Sequence, residues 1–326
     1  MSMPMAFQGR LALPAIVAPM FLVSTVELVL ACCRAGVVGS FPALNARPAP
    51  VLEEWLHCLT SSLTGKDAPF AVNLIVHRSN ARLDEDLALV VRYKVPVVIT
   101  SLGARPEVND AVHEYGGIVL HDVTTNEFAR KAVLRGADGL IAVAAGAGGH
   151  AGTQSPFALV QEIRAWFDGP LALSGAIANG RAIVAARALG ADLAYIGSAF
   201  IATEEAAADP RYKQMIVESS AEDIVYSNLF TGVHGNYLAP SIRAAGLDPH
   251  ALALSDPSRM DVSTFSGGGT KAWRDIWGAG QGIGAVESVV PAATLIARLR
   301  REYRDTLALL ADEDRALKGN HMRAGG

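Results

Sequence analysis

The chain has 326 residues, 51% of them hydrophobic and 18% charged, with 31 Gly, 16 Pro and a formal net charge of −4. That apolar fraction excludes a disordered chain, and the length holds one large domain or two ordinary ones. A pI near 6.1 goes with too few clustered Lys and Arg to displace counterions from phosphates, so no nucleic-acid partner is expected.

Cys32, Cys33 and Cys58 leave one thiol over in any pairing, and the first two are adjacent in an apolar run. This is the pattern of a reduced, cytoplasmic chain. Arg10 precedes an apolar stretch over residues 11–23, but Pro14 and Pro19 interrupt it and no small-residue cleavage site follows, so a secretory leader is not expected. Mean hydropathy is positive, +0.27. Nowhere, however, do about 18 apolar residues run without charge or proline, and no membrane-spanning helix is expected.

Short β-branched runs alternate with stretches of helical period, the signature of βα units around a parallel sheet. Strands are expected at residues 14–18, 37–41, 70–76, 95–101, 117–123, 139–145, 171–176 and 193–197, with helices at 25–35, 51–63, 83–93, 126–135, 157–167 and 180–189. Runs such as Val95-Pro96-Val97-Val98-Ile99 are apolar at consecutive positions, as in strands covered on both faces. Eight such strands predict an α/β (β/α)8 TIM barrel. An open dinucleotide-binding sheet is disfavoured because Ala18-Pro19-Met20 stands where its glycine cluster would follow the first strand.

Residues 221–287 break the rhythm with Pro240, Pro249, Pro257 and Gly267-Gly268-Gly269. The expected organisation is a barrel over 1–220, an inserted lid over 221–287 and a closing helix with a tail over 288–326. Phe265, Trp273 and Trp277 favour a packed lid.

Barrel chemistry sits at the C-terminal ends of the strands, where this sequence places Pro19-Met20, Asn73, His121-Asp122, residues 146–152, residues 174–181 and residues 196–200. The glycine-bearing turns after strands seven and eight let backbone N–H groups approach an anion, so a bound phosphate group is expected there; each turn alone is equally explained by chain reversal. His150, inside a glycine-rich loop, has no helix or strand face to hide on and is the candidate proton-transfer residue. His121 ends a strand and reads more readily as a core histidine bonded to backbone. Asn73 is apolar-flanked, and its buried amide needs a partner, either ligand or backbone. The other histidines show no metal-ligand spacing, and no metal is expected.

Taken in order, Ala18-Pro19-Met20, Val72-Asn73-Leu74, Ala147-Gly148-Gly149-His150-Ala151-Gly152, the run from Ser174 to Arg181, Ile196-Gly197-Ser198-Ala199-Phe200 and Trp277-Gly278-Ala279-Gly280-Gln281-Gly282 resemble the nitronate monooxygenase (2-nitropropane dioxygenase) family and the related flavin-dependent enoyl-ACP reductases. The resemblance implies FMN at the top of the barrel. Its phosphate would lie by Gly175, Ala176, Gly197 and Ser198, its ring near Pro19, Met20 and Asn73, with Gly148, Gly149 and Ser174 also in contact and Gln281-Gly282 closing over the ring. His150 would be the base that takes the α-proton of a nitroalkane, O2 the oxidant, and a carbonyl compound and nitrite the products. His121, Tyr237 and Trp277 are candidates for the substrate pocket.

The chain departs from the family pattern before Ala147: Val143-Ala144 replaces a Gln-Gly pair and Gly146 replaces a Glu, while Ala176 replaces a Gly. Two other readings follow. One keeps FMN but passes electrons from a transiently bound NAD(P)H to a quinone or enoyl thioester. The other is a flavin-free, phosphate-binding barrel isomerase or lyase. A homodimer is a further expectation, from the glycine-rich apolar insertion.

Overall fold

The computed structural model describes residues 4–255 and 275–324. Phe265, Trp273, Pro257 and the Gly267-Gly268-Gly269 run lie outside the described residues. Eleven strands are present among them: β1 Ala15–Val17, β2 Gly39–Pro42, β3 Phe70–Ile75, β4 Val97–Ser101, β5 Ile118–Val123, β6 Gly139–Val143, β7 Gly149–His150, β8 Leu171–Ser174, β9 Leu193–Ile196, β10 Ile224–Ser227 and β11 Gly235–Leu238. The α-helices are α1 Val26–Arg34, α2 Pro50–Ser62, α3 Leu83–Arg92, α4 Pro106–His113, α5 Asn126–Leu134, α6 Pro156–Arg164, α7 Gly180–Leu189, α8 Ser198–Ile201, α9 Pro210–Glu218, α10 Ala239–Ala244 and α11 Ala292–Ala324.

Eight strands form one parallel sheet in the order β1-β9-β8-β6-β5-β4-β3-β2. The bridge between Ile16 and Val38 joins its two ends, with Val17 N–H donating to Val38 O at 2.8 Å and Val38 N–H to Ala15 O at 3.1 Å. The sheet is therefore a (β/α)8 barrel, and its eight strands fall on the eight expected stretches.

Successive strand residues alternate between two cores. Ile16, Val38, Ala71, Val97, Ile99, Leu120, Ile141, Val143, Ala172, Leu193 and Tyr195 pack together inside the barrel. Their neighbours pack outward against the helices, Val72, Val98 and Val119 in one cluster and Val17, Leu140, Ala142, Leu171, Leu173, Ala194 and Ile196 in another. By the same alternation Asn73, Ser101, Asp122, Ser174 and Tyr195 form the topmost inward layer, at the C-terminal end where βα loops build sites.

A second sheet, antiparallel, runs β10-β11-β7. It ties residues 224–238 to the loop after β6, with Gly235 opposite His150 and Asn236 opposite Gly149. The Asn236 side chain donates to Ala147 O at 2.6 Å, and Tyr237 bridges to Gly278. Helix α11 starts with Ala292 N–H on the Glu205 carboxylate (2.8 Å) and buries Ala292, Leu295, Ile296 and Leu299. No described helix is long and apolar enough to cross a membrane.

Gly180 fixes how closely α11 approaches α7. A Cβ there would lie 2.3 Å from Tyr303 N and 2.5 Å from Leu299 O, and its N–H donates to Glu302 Oε2 at 2.7 Å. Gly180→Ala is expected to push α11 off α7 and lower stability by about 1–3 kcal/mol, the usual cost of overpacking. Urea denaturation of the two proteins side by side measures it.

Candidate active site

A cavity of about 1080 Å³ opens at the C-terminal mouth of the barrel. Its floor is the topmost inward layer, which adds Asn73, Ser101, Asp122 and Ser174 to the apolar Ala18, Pro42 and Val143, while the layers beneath are chiefly aliphatic. Asn73 Nδ2 donates to Ile99 O (3.1 Å) and to Ser101 Oγ (2.7 Å). Ser101 Oγ then donates to Asp122 Oδ2 at 2.5 Å. Asp122 Oδ1 is buried with no hydrogen-bond partner. Burial raises the Asp122 carboxyl to about 6, the Ser101 hydrogen bond opposing only in part. Tyr195, across the floor, has its phenol raised by burial and then by the charge of Asp122.

The opposite wall is made by Ser174, Gly197 and Ser198 with Gly148 and Gly149. Among the described residues, no carbonyl or side-chain oxygen accepts from the N–H of Gly175 or Gly197. A Cβ on Gly197 would meet only ordinary contacts, Ala18 Cβ at 3.5 Å being the nearest. Gly175 has φ +146°, a conformation that favours glycine and turns the chain sharply after β8. Backbone donors without acceptors at a strand end suit an anionic oxygen ligand. The N-terminus of α7 does not contribute, because the Glu302 carboxylate already takes the Gly180 N–H.

His150 reaches the cavity from β7. Thr231 Oγ1 lies 3.1 Å from His150 Nε2 and 3.0 Å from Val233 O, so it holds the ring by a hydrogen bond. Burial lowers the ring to about 4, so the imidazole is neutral at neutral pH. Tyr226 and His234, stacked with centroids 5.0 Å apart, add the second sheet's side chains to the wall.

The family model for nitronate monooxygenase matches residues 71–302. The chain belongs to the nitronate monooxygenase family. It is an oxidoreductase enzyme. A nitronate monooxygenase of Paraburkholderia phytofirmans is 28% identical over 91% of this chain and 94% of its own length. Among solved structures, FabK from Thermotoga maritima superposes with a TM-score of 0.80 at 26% identity, covering 93% of this chain and 96% of that one. The nitroalkane oxidase of Streptomyces ansochromogenes gives 0.79 at 27%, covering 94% and 99%.

Of the residues singled out from sequence, Pro19, Met20, Asn73, His121, Gly148, Gly149, His150, Ser174, Gly197 and Ser198 share the cavity wall. Gly175, Ala176, Gln281 and Gly282 stand behind it. Ala176 N–H and Gln281 N–H both donate to Gly146 O, at 3.2 and 2.9 Å, and a Cβ on Gly282 would lie 2.8 Å from the Ala176 carbonyl. A Cβ on Gly146 would lie 3.0 Å from Gln281 Oε1 and 3.3 Å from Ala176 Cβ. The space a glutamate would need is thus occupied by the Ala176 methyl and the Gln281 amide.

Tyr237 and Trp277, expected in the substrate pocket, are core residues outside the wall. Tyr237 is fully buried with Ile242 and Ile276, its hydroxyl 3.4 Å from Thr231 Oγ1, so it braces the threonine that holds His150. Trp277 stacks on Tyr212 at 4.9 Å. His121 borders the cavity but turns its ring to Thr100, Nδ1 to Oγ1 2.5 Å, on the face toward the helices, and burial lowers it to about 4. Ser101, Asp122, Tyr195 and Thr231 went unrecognised in the sequence. Strand alternation finds Ser101, Asp122 and Tyr195 only once the structure has shown which parity of each strand faces the axis. Among the described residues no group of His, Cys, Asp or Glu could hold a metal ion.

The titrations set a pH dependence of stability. His121 and His150 sit near 4 in the folded protein against an ordinary 6.5, so the unfolded chain takes up their protons first as pH falls through that window, and stability is lost. Asp122, near 6 against 3.8, does the opposite and offsets one of the two. The melting temperature is expected to fall from pH 7 toward pH 4, and more steeply in Asp122→Asn, where the offset is gone. Calorimetry of both proteins across that range checks it.

Proposed function

We propose that the protein is an FMN-dependent oxidoreductase of the nitronate monooxygenase type, converting small nitronates and nitroalkanes with O2 to carbonyl compounds and nitrite. The observation that carries this reading is a half-buried, neutral histidine, held by Thr231 and facing a cavity that has free backbone donors at one end and polar side chains at its floor. These residues fit a phosphate-tailed planar cofactor. The N–H groups of Gly197 and Ser198 would hold the phosphate, with Gly175 turning the chain behind them, and Pro19, Met20 and Asn73 would border the ring. Bound FMN would supply the acceptor for the two electrons leaving the substrate.

The chain's own residues do the rest. The His150 imidazole takes the proton from the carbon bearing the nitro group, and Thr231, hydrogen-bonded to Nε2, keeps the ring oriented as it becomes charged. Burial disfavours that imidazolium, so the proton is released readily once the carbanion has been consumed. Tyr226, His234 and Val233, held over the mouth by β10 and β11, limit the access of water to the reacting carbon. In this reading the described residues of the 221–287 stretch, 221–255 and 275–287, act as a lid.

A second reading keeps the flavin site but takes electrons from NAD(P)H to a quinone or enoyl thioester. The likeness to FabK supports it. Anaerobic mixing separates the two: loss of the visible flavin band with a nitronate and not with NADH or NADPH supports oxidation, and the reverse supports reduction. A protein that binds no FMN would return the site to a flavin-free phosphate chemistry.

His150→Ala is expected to retain FMN and to lose turnover of neutral nitroalkanes by about 100-fold or more, the usual contribution of a general base. A preformed nitronate, its proton already gone, should be oxidised nearly as before. Steady-state oxygen uptake with both substrate forms measures this, and equal rates on the neutral form in variant and parent would remove His150 from the mechanism.

A further inference from the structure

We propose that Asp122 is a second acid–base residue of this site, presenting a carboxylic acid to the cavity and donating a hydrogen bond from Oδ1 to an acceptor atom of the bound flavin ring. The proposal rests on the flavin reading above.

Three geometric facts carry it. Asp122 shares the inward parity of Leu120 on β5 and lines the cavity at its floor. Its Oδ2 is already satisfied by Ser101 Oγ, whose own lone pair takes the Asn73 amide. Its Oδ1 is buried without a partner. A buried carboxyl with one oxygen satisfied and the other bare is costly as an anion and incomplete as an acid until something accepts its proton. A flavin's polar edge offers carbonyl and ring-nitrogen acceptors of that kind, and a neutral carboxylic acid kept as a donor inside an apolar barrel is established enzyme chemistry.

The groups around Asp122 provide no cation that would hold it ionised. Tyr195 of β9 is a neutral phenol coupled to it unfavourably. His121 beside it and His150 of β7 are both kept neutral by burial. On α5 and the residue after it, Lys131 pairs with Glu127 at 2.6 Å and Arg135 donates to Ala104 O at 2.5 Å. The Ser101 hydrogen bond is the one favourable contact to the carboxylate form, and burial outweighs it.

A proton that must be present for the hydrogen bond makes cofactor binding proton-linked. Above the free-protein titration near pH 6, FMN affinity should fall by up to roughly tenfold per pH unit. Apoprotein is titrated with FMN between pH 5.5 and 8, following quenching of flavin fluorescence, for the wild type and Asp122→Asn. The asparagine keeps an N–H donor and cannot titrate. Because the FMN phosphate itself titrates near pH 6 in both proteins, the ratio of the two dissociation constants is the quantity read.

The expected result is a ratio that moves by about tenfold or more across the range, the wild type weakening relative to the variant as pH rises. A ratio constant within about twofold overturns the proposal. Should Asp122→Asn fail to fold, Ser101→Ala serves: removing the donor to the carboxylate should shift the wild-type binding transition to higher pH, and an unshifted transition overturns the proposal. Wild-type protein that binds no FMN at any pH overturns the flavin reading instead, a distinct outcome.

Discussion

Closure of the barrel through the bridge between Ile16 and Val38 is the constraint on which the rest depends. Once the eight-stranded sheet meets itself, every strand has an inside and an outside, and each residue's parity decides which core it joins. The lower inward layers are filled chiefly by aliphatic side chains such as Ala71, Val97, Ile99, Leu120 and Ile141, and the one polar residue of β2 among them, Ser40, is satisfied by the Val17 carbonyl. Only the last inward position of each strand borders open space. Asn73, Ser101, Asp122, Ser174 and Tyr195 converge there because closure aims them at a common axis.

The second sheet solves a different problem, that of holding a histidine on a glycine-rich loop. Gly149 and His150 form a strand only because Gly235 and Asn236 pair with them, and the ring is held by Thr231, which Tyr237 in turn braces. A side chain positioned by residues some eighty places later in the chain gains the precision of a sheet without being part of the barrel. The same segment carries the groups that cover the cavity mouth. Orientation of the base and exclusion of water are therefore linked through one small sheet.

The replacement of a family glutamate by Gly146 also becomes intelligible at this level. Gly146 O accepts from both Ala176 and Gln281, and their side chains occupy the volume next to the missing Cβ. Ala176 adopts φ +53°, a left-handed conformation that costs a non-glycine residue about 1 kcal/mol. Two departures from the family pattern, Gly146 and Ala176, thirty residues apart in sequence, meet with Gln281 behind the cavity wall, and the site's own wall of Gly148, Ser174, Gly197 and Ser198 is preserved.

The sequence by itself determined the eight barrel strands, their positions and the barrel they form, because two-sided burial writes consecutive apolar residues into each strand and helical periods between them; the small sheet of β7, β10 and β11 it did not show. It also determined which loops hold glycine and histidine at the rim. Two-sided burial is equally the reason the site was only partly legible. Where Ile118, Val119 and Leu120 are all apolar, nothing local says which parity faces the axis, so of the adjacent pair the conspicuous His121 drew notice, while Asp122 is the one that faces in. Tertiary structure alone decided that, together with the burial of Tyr237 and Trp277 in the core and the capture of the α7 N-terminus by Glu302. Each depends on contacts between segments distant in the chain, whose geometry is set only when the ring closes and the later elements pack against it.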